Sequence, residues 1–229
     1  MKKFNSIIAF GDSFVAGTEL CTDEQVEEVY NKIKSGLYPV DEIDDITKPN
    51  SFPNLLANKL NIPCYNYAMS GGSNNRSIRK LISATKIHTN SLILFGYTSP
   101  DRSEIYYPVE GPCTGRDSDM FLQLGLHINN HGINFELNQT YIRDFIYPHN
   151  NINEFIICAE AIAKYTSNQI IHLPVFGEYV HEPLPNIFKF QGYKNLIDWA
   201  TFNRFSRLRH GHFEQAAHNA LADLLFQQL

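Results

Sequence analysis

Residues 7–14 read Ile7-Ile8-Ala9-Phe10-Gly11-Asp12-Ser13-Phe14. Four uninterrupted apolar residues are too short for a helix and suit a strand covered on both faces. Gly11-Asp12 ends the run, so Ser13 stands where a strand meets a turn. The pattern recurs along the chain. Cys64 to Met69 reads as a second strand running into Ser70-Gly71-Gly72, Ser91 to Phe95 as a third ending at Gly96, and Gln169 to Phe176 as a fourth. Helical spacing fills the intervals. A charged segment runs from Thr22 to Lys34, and a helix opens at Ser51-Phe52-Pro53 with Leu55, Leu56 and Leu60 on one face. Ser51 suits the cap there and Pro53 the first turn. Further helices cover Arg76 to Ile87, with Ile78, Leu81, Ile82 and Thr85 inward, then residues 152–165, and finally Phe213 to Leu229. Strands alternating with helices predict parallel crossovers and an α/β/α sandwich around a central parallel sheet. Residues from about 100 to 150 show turns and aromatics without a sustained period. They read as an irregular insertion within a single 229-residue domain.

Composition narrows the function classes. Hydrophobic residues at 43% and charged ones at 19% give a globular chain enough apolar surface for a core. A net charge of -5 offers no basic footprint, so no nucleic-acid partner is expected. Cys21, Cys64, Cys113 and Cys158 are widely spaced and form no CxxC pair, which suits free thiols in a reducing compartment. The apolar run after Met1-Lys2-Lys3 is shorter than the ~7–15 residues of a signal-peptide core. No stretch approaches the ~18 apolar residues of a membrane span. The expectation is therefore a cytoplasmic chain with no membrane partner. Without a GxGxxG or GxxxxGK[ST] run, no nucleotide cofactor is expected.

In open α/β sheets, ligands sit beyond the carboxyl ends of the strands. The residues in those positions are Gly11-Asp12-Ser13, Ser70-Gly71-Gly72 and Gly96-Tyr97-Thr98-Ser99, while His210-Gly211-His212 enters the last helix. Acyl transfer needs a hydroxyl nucleophile, a base, and N–H donors aimed at the developing oxyanion, and those residue types are the ones gathered on this rim. A second reading makes His210, His212 and His218 a metal site, although Glu214 is the only acidic residue close to them in sequence. The expected metal and cofactor content is none.

These segments, in this order, resemble the blocks of the SGNH/GDSL hydrolases over most of the chain. Ile8 to Phe14 resembles the first block, Asn66 to Asn74 the second, and Gly211-His212-Phe213 the last. The resemblance implies a flavodoxin-like three-layer sandwich. It also implies Ser13 as nucleophile, His212 as base, and an oxyanion hole from Ser13, Gly71 and Thr98. The implied activity is hydrolysis of a small acyl ester, including O-acetyl groups on a carbohydrate. Two positions depart from the family. Thr98 stands where the third block has asparagine, as in a divergent Gly-x-Thr-Ser-x-x-Arg form among phage and marine-bacterial relatives. Arg209 stands where the family's acid lies, three residues before the histidine, and a cation there opposes an imidazolium. Asp198, Glu214 or a backbone carbonyl are then the alternatives for orienting His212. The competing outcome is an SGNH-fold binding or structural protein with degraded catalysis. Beyond these blocks, Arg102 and Glu104 are expected to pair and fix the third-strand loop, with a contact from Arg102 to substrate as the alternative, while Trp199 is expected to pack and His172 and His181 to be satisfied locally.

Overall fold

The computed structural model describes residues 4–35, 40–108, 117–125, 136–141, 152–176, 186–208 and 211–229. The four expected strands form one parallel sheet: β1 (Ile7–Phe10), β2 (Cys64–Asn66), β3 (Leu92–Tyr97) and a later strand, Gln169–Pro174. In space, β2 flanks β1 on one side, and β3 followed by Gln169–Pro174 lies on the other. β2 pairs past its formal end, since Tyr67 and Met69 donate their N–H groups to Ala9 O and Gly11 O.

Alternation along the strands assigns the two faces. Ile7, Ala9, Leu92 and Leu94 pack into one core, and Ile8, Phe10, Ile93 and Phe95 into the other. The apolar runs are continuous because both faces are covered, the rule for parallel sheets. The first core is closed by the helices Phe52–Leu60 and Gln215–Gln228, and the second by Asn74–Ala84 and Ile152–Tyr165. The fold is a three-layer α/β/α sandwich. The crossover from β1 to β2 runs over one face and that from β2 to β3 over the other. Between β1 and β3 the direction of winding reverses, and such a switch point opens a crevice at the strand ends.

Several expectations change. Leu81 and Thr85 are buried on the inner face of their helix as expected, whereas Ile82 is 45% exposed and Ala84 takes the inward place beside them. The 100–150 stretch holds an antiparallel hairpin, β4 (Ser103–Tyr106) with β5 (Phe121–Leu124), and a helical turn at 136–141. Strands of four residues are too short to show a period. Leu196–Phe202 is an additional short helix, and Trp199 packs in the first core as expected. Cys21, Cys64 and Cys158 are free thiols, while Cys113 and His181 lie outside the described residues. No helix among the described residues is long and apolar enough to cross a membrane.

Ion pairs clamp the hairpin onto the helix Asn74–Ala84. Asp117 Oδ2 accepts from Arg76 Nε at 3.1 Å and Arg79 Nη2 at 2.7 Å, and Glu104 pairs with Arg79 rather than with Arg102. The Arg76 and Asp117 side chains are 1% and 0% exposed. Removing one partner of a buried pair leaves the other charge uncompensated, at a cost of about 3–5 kcal/mol. Asp117→Ala is therefore expected to lose that order of stability in urea unfolding. A loss below about 1 kcal/mol would show that Asp41, which also pairs with Arg76, suffices.

His218, on the last helix, is buried and accepts the Phe52 N–H on Nδ1 at 3.2 Å. Burial, aided by the nearby His212, pushes its pKa down from 6.5 to about 3. The native state thus keeps His218 neutral, whereas the unfolded chain protonates it below about 6.5. Stability then falls as pH drops from about 6.5 towards 3, by on the order of 4 kcal/mol in full. His218→Asn retains an acceptor for Phe52 and removes the titration. Its urea midpoint is expected to fall less between pH 7 and pH 4 than the parent's, and an unchanged acid slope would contradict this.

Candidate active site

The rim of the switch point is built from three turns in contact. Gly11 follows β1 at φ +148°, where an added Cβ would meet Val15 Cγ2 at 2.5 Å and Gly96 O at 3.0 Å, so a side chain is excluded. Asp12 caps the four-residue helix α1 (Ser13–Ala16), its Oδ1 accepting from Phe14 N at 3.1 Å. Ser13 opens that helix and is 7% exposed. Gly71 lies at φ +72° in the turn after β2. The buried carboxylate of Asp44 fixes the residue before it, taking the Ser70 N–H on Oδ2 and the Ser70 hydroxyl on Oδ1 at 2.7 Å. Burial raises the Asp44 pKa, opposed by Lys48 and by these hydrogen bonds. Among the described residues, neither the Ser13 N–H nor the Gly71 N–H has a protein acceptor. Two backbone donors, one on the serine itself and one in the turn after β2, thus stand unclaimed on this rim.

His212 arrives from the other end of the chain. Its ring lies 5.3 Å from that of Phe14, the residue after Ser13. The Leu208 N–H donates to His212 O at 2.7 Å and the Gly211 N–H to Leu208 O at 3.0 Å, closing the turn that presents it. His212 Nδ1 lies 2.8 Å from Glu19 Oε2, with both side chains 16% exposed. Glu19 sits six positions beyond Ser13 in the loop leaving α1, at φ +73°. Sequence reading passed over Glu19. The available signal was its place within a short chain reach of the serine turn, since Gly17 ends α1 two residues earlier. The Cys21 thiol, also near this carboxylate, has its pKa raised by burial first and by Glu19 second, which keeps it protonated. His212 Nε2 and Ser13 Oγ are not hydrogen-bonded to each other or to any other protein atom among the described residues.

Thr98 is fully buried, and its hydroxyl donates to Asp12 Oδ2 at 2.8 Å while accepting from Arg102 Nη1 at 2.8 Å. A hydroxyl carries one proton, so this geometry leaves none for an oxyanion. The expected role of Thr98 as a donor gives way to one of bracing Asp12. The Asn74 amide bonds both backbone groups of Thr98, at 3.1 Å each, and locks the third turn to the helix after the second.

The alternatives for holding His212 lie elsewhere. Glu214 Oε1 accepts from Ser206 N at 2.9 Å, and Asp198 Oδ2 from Asn195 Nδ2 at 3.2 Å. Arg209 and His210 lie outside the described residues. With Nδ1 of His218 taken by Phe52, the three-histidine metal reading loses one ligating nitrogen, and no metal-binding group of His, Cys, Asp or Glu occurs among the described residues. His172 is satisfied as expected, between Tyr97 Oη and Glu160 Oε2 at 2.8 Å each.

What these features define is a doubly wound α/β/α protein carrying, at its switch point, a serine, a carboxylate-held histidine and two unclaimed N–H groups. No family model and no curated protein match the chain. Among solved structures it is similar to a psychrotrophic esterase from Pseudoalteromonas sp., with 12% identity, 97% of this chain and 95% of that one covered, and a TM-score of 0.41. It is similar also to a lipase/acylhydrolase from Enterococcus faecalis, with 15% identity, 98% and 95% covered, and a TM-score of 0.39. A carbohydrate esterase family 2 enzyme plus carbohydrate binding domain from Corynascus thermopiles matches at 14% identity and a TM-score of 0.43, over 97% of this chain and 64% of that one.

Proposed function

We propose that this chain is a serine esterase that hydrolyses a small acyl ester through an acyl-enzyme on Ser13. The observation that carries the reading is the Glu19–His212 contact beside the Ser13 turn, with the Ser13 and Gly71 N–H groups unclaimed. A histidine that gives its Nδ1 proton to a carboxylate presents a lone pair on Nε2, the tautomer a general base requires. His212 Nε2 takes the Ser13 proton as Oγ bonds to the acyl carbon, and the carbonyl electron pair moves onto oxygen, facing the Ser13 and Gly71 N–H groups. Collapse returns that pair, breaks the bond to the leaving alkoxide, and His212 passes its proton to it. Water, deprotonated by the same histidine, then releases the acyl group as a carboxylic acid and restores Ser13.

The near-complete burial of Ser13 and the Phe14–Phe176 and Phe14–Phe213 ring contacts, at 5.3 and 5.4 Å, favour a small acyl group. An acetyl ester, including O-acetyl on a carbohydrate, is the substrate class this reading takes first. A second reading, an SGNH-like binding or structural protein, draws on the missing hydrogen bond between Ser13 Oγ and His212. Apo catalytic contacts are often long and tighten only with substrate, so the missing bond does not decide against catalysis. Hydrolysis of p-nitrophenyl acetate together with covalent capture of Ser13 by a fluorophosphonate separates the two. Labelling at Ser13 supports the esterase, and folded protein that neither labels nor turns over supports the second reading.

A further inference from the structure

We infer that Arg102 supplies a third, cationic contact to the oxyanion formed at Ser13, in the place where Thr98 has no proton to give. The inference rests on the esterase reading above and adds a residue to it. Arg102 is set on the rim by Nη1, which reaches Thr98 Oγ1 at 2.8 Å and Asp12 Oδ2 at 3.2 Å. Its side chain is 10% exposed and its partner Asp12 is wholly buried, so the guanidinium is immobilised directly behind the residue preceding Ser13. Only one of its three nitrogens is spent there. Nε is buried without a hydrogen-bond partner, and Nη2 has no acceptor among the described residues while not being shut off from the surface. A buried donor without an acceptor is costly, and such groups are rare in native structures. Nε is closed off from solvent, so Nη2 is the guanidinium donor that an anionic oxygen can reach.

A purely structural account leaves Nη2 unexplained. Neutralising Asp12 requires a positive charge, which Nη1 alone delivers, and Thr98 and the Phe14 N–H already satisfy both carboxylate oxygens. When the carbonyl electron pair shifts to oxygen, the Nη2–H stands as a full charge beside the two neutral N–H donors. Its proton stays on nitrogen throughout.

Comparing D12N with D12N/R102A tests the assignment, because D12N removes the ion pair that a structural role would serve. The readouts are kcat and KM for p-nitrophenyl acetate, the rate of Ser13 capture by fluorophosphonate, and binding of methylphosphonate followed calorimetrically. The double variant is expected to lose about 10²-fold or more in kcat relative to D12N, with KM within about threefold, slower capture, and methylphosphonate binding weakened about tenfold. Equal kcat and equal methylphosphonate binding in the two variants would overturn it. Where D12N fails to fold, R102K in the parent keeps a charge for Asp12 but lacks the second terminal nitrogen, and the same loss or its absence decides. A parent chain that never labels at Ser13 sinks the esterase reading separately. Methylphosphonate binding that disappears with Arg102 would then still uphold an anion site, and binding that is absent or indifferent to Arg102 would not.

Discussion

Ser13→Ala is expected to reduce turnover of p-nitrophenyl acetate by about 10⁴–10⁶-fold and to abolish fluorophosphonate labelling, with no loss of folded protein. The size follows from covalent chemistry. Without Oγ no acyl-enzyme forms, and what survives is the background acceleration of a polarised carbonyl near the Ser13 and Gly71 N–H groups. Stability is spared because α1 keeps its Asp12 cap, and alanine is at least as good a helix former as serine. The Ser13 hydroxyl bonds to no protein atom among the described residues, so its removal leaves no buried partner unsatisfied. Turnover within tenfold of the parent would place the nucleophile elsewhere and end the proposed mechanism.

Glu19→Gln carries the second largest effect, a fall in kcat of about 10³–10⁴-fold with KM and melting temperature held. The amide nearly matches the carboxylate in shape but has no charge to stabilise the imidazolium. Its NH₂ also invites His212 Nδ1 to accept, which turns the imidazole to the wrong tautomer. A merely structural Glu19 would lower stability and leave kcat in the folded fraction unchanged. Glu19→Gly separates the two quantities further. Glu19 holds φ +73°, a conformation that costs a residue with a Cβ roughly 1 kcal/mol and glycine little. Glycine there relieves that strain while deleting the acid, so the variant should melt no lower than the parent and be as inactive as Glu19→Gln. A backbone held in a sparsely populated region beside a proposed active site fits strain kept for a positioning duty.

The parallel sheet was legible in the sequence because it depends on local chemistry. Ile7–Phe10 and Leu92–Tyr97 are buried on both faces, so their apolar runs are long, and glycine follows the first while Gly96 is the penultimate residue of the second. Ser13 and Gly71 were legible for the same reason: their placement at strand ends follows from where the runs stop. The hairpin Ser103–Tyr106 with Phe121–Leu124 was not, because its partners are 15 or more residues apart in sequence and its stability comes from Arg79, Glu104 and Asp117 across the fold.

The candidate site divides along that line. Sequence by itself determined the layer architecture, the serine on its turn, and a histidine at the entry to the last helix. Only the tertiary structure decided what each polar group faces. It brought Glu19 to His212 across 193 positions, turned Arg102 from Glu104 to Asp12, and closed the Thr98 hydroxyl against Asp12. The physical reason is that apolar periodicity repeats within a few residues and can be counted, whereas a hydrogen bond is a pairwise contact. Its partner is chosen by where two distant backbones are carried, and a side chain's single proton goes to whichever acceptor the packing puts within 3 Å.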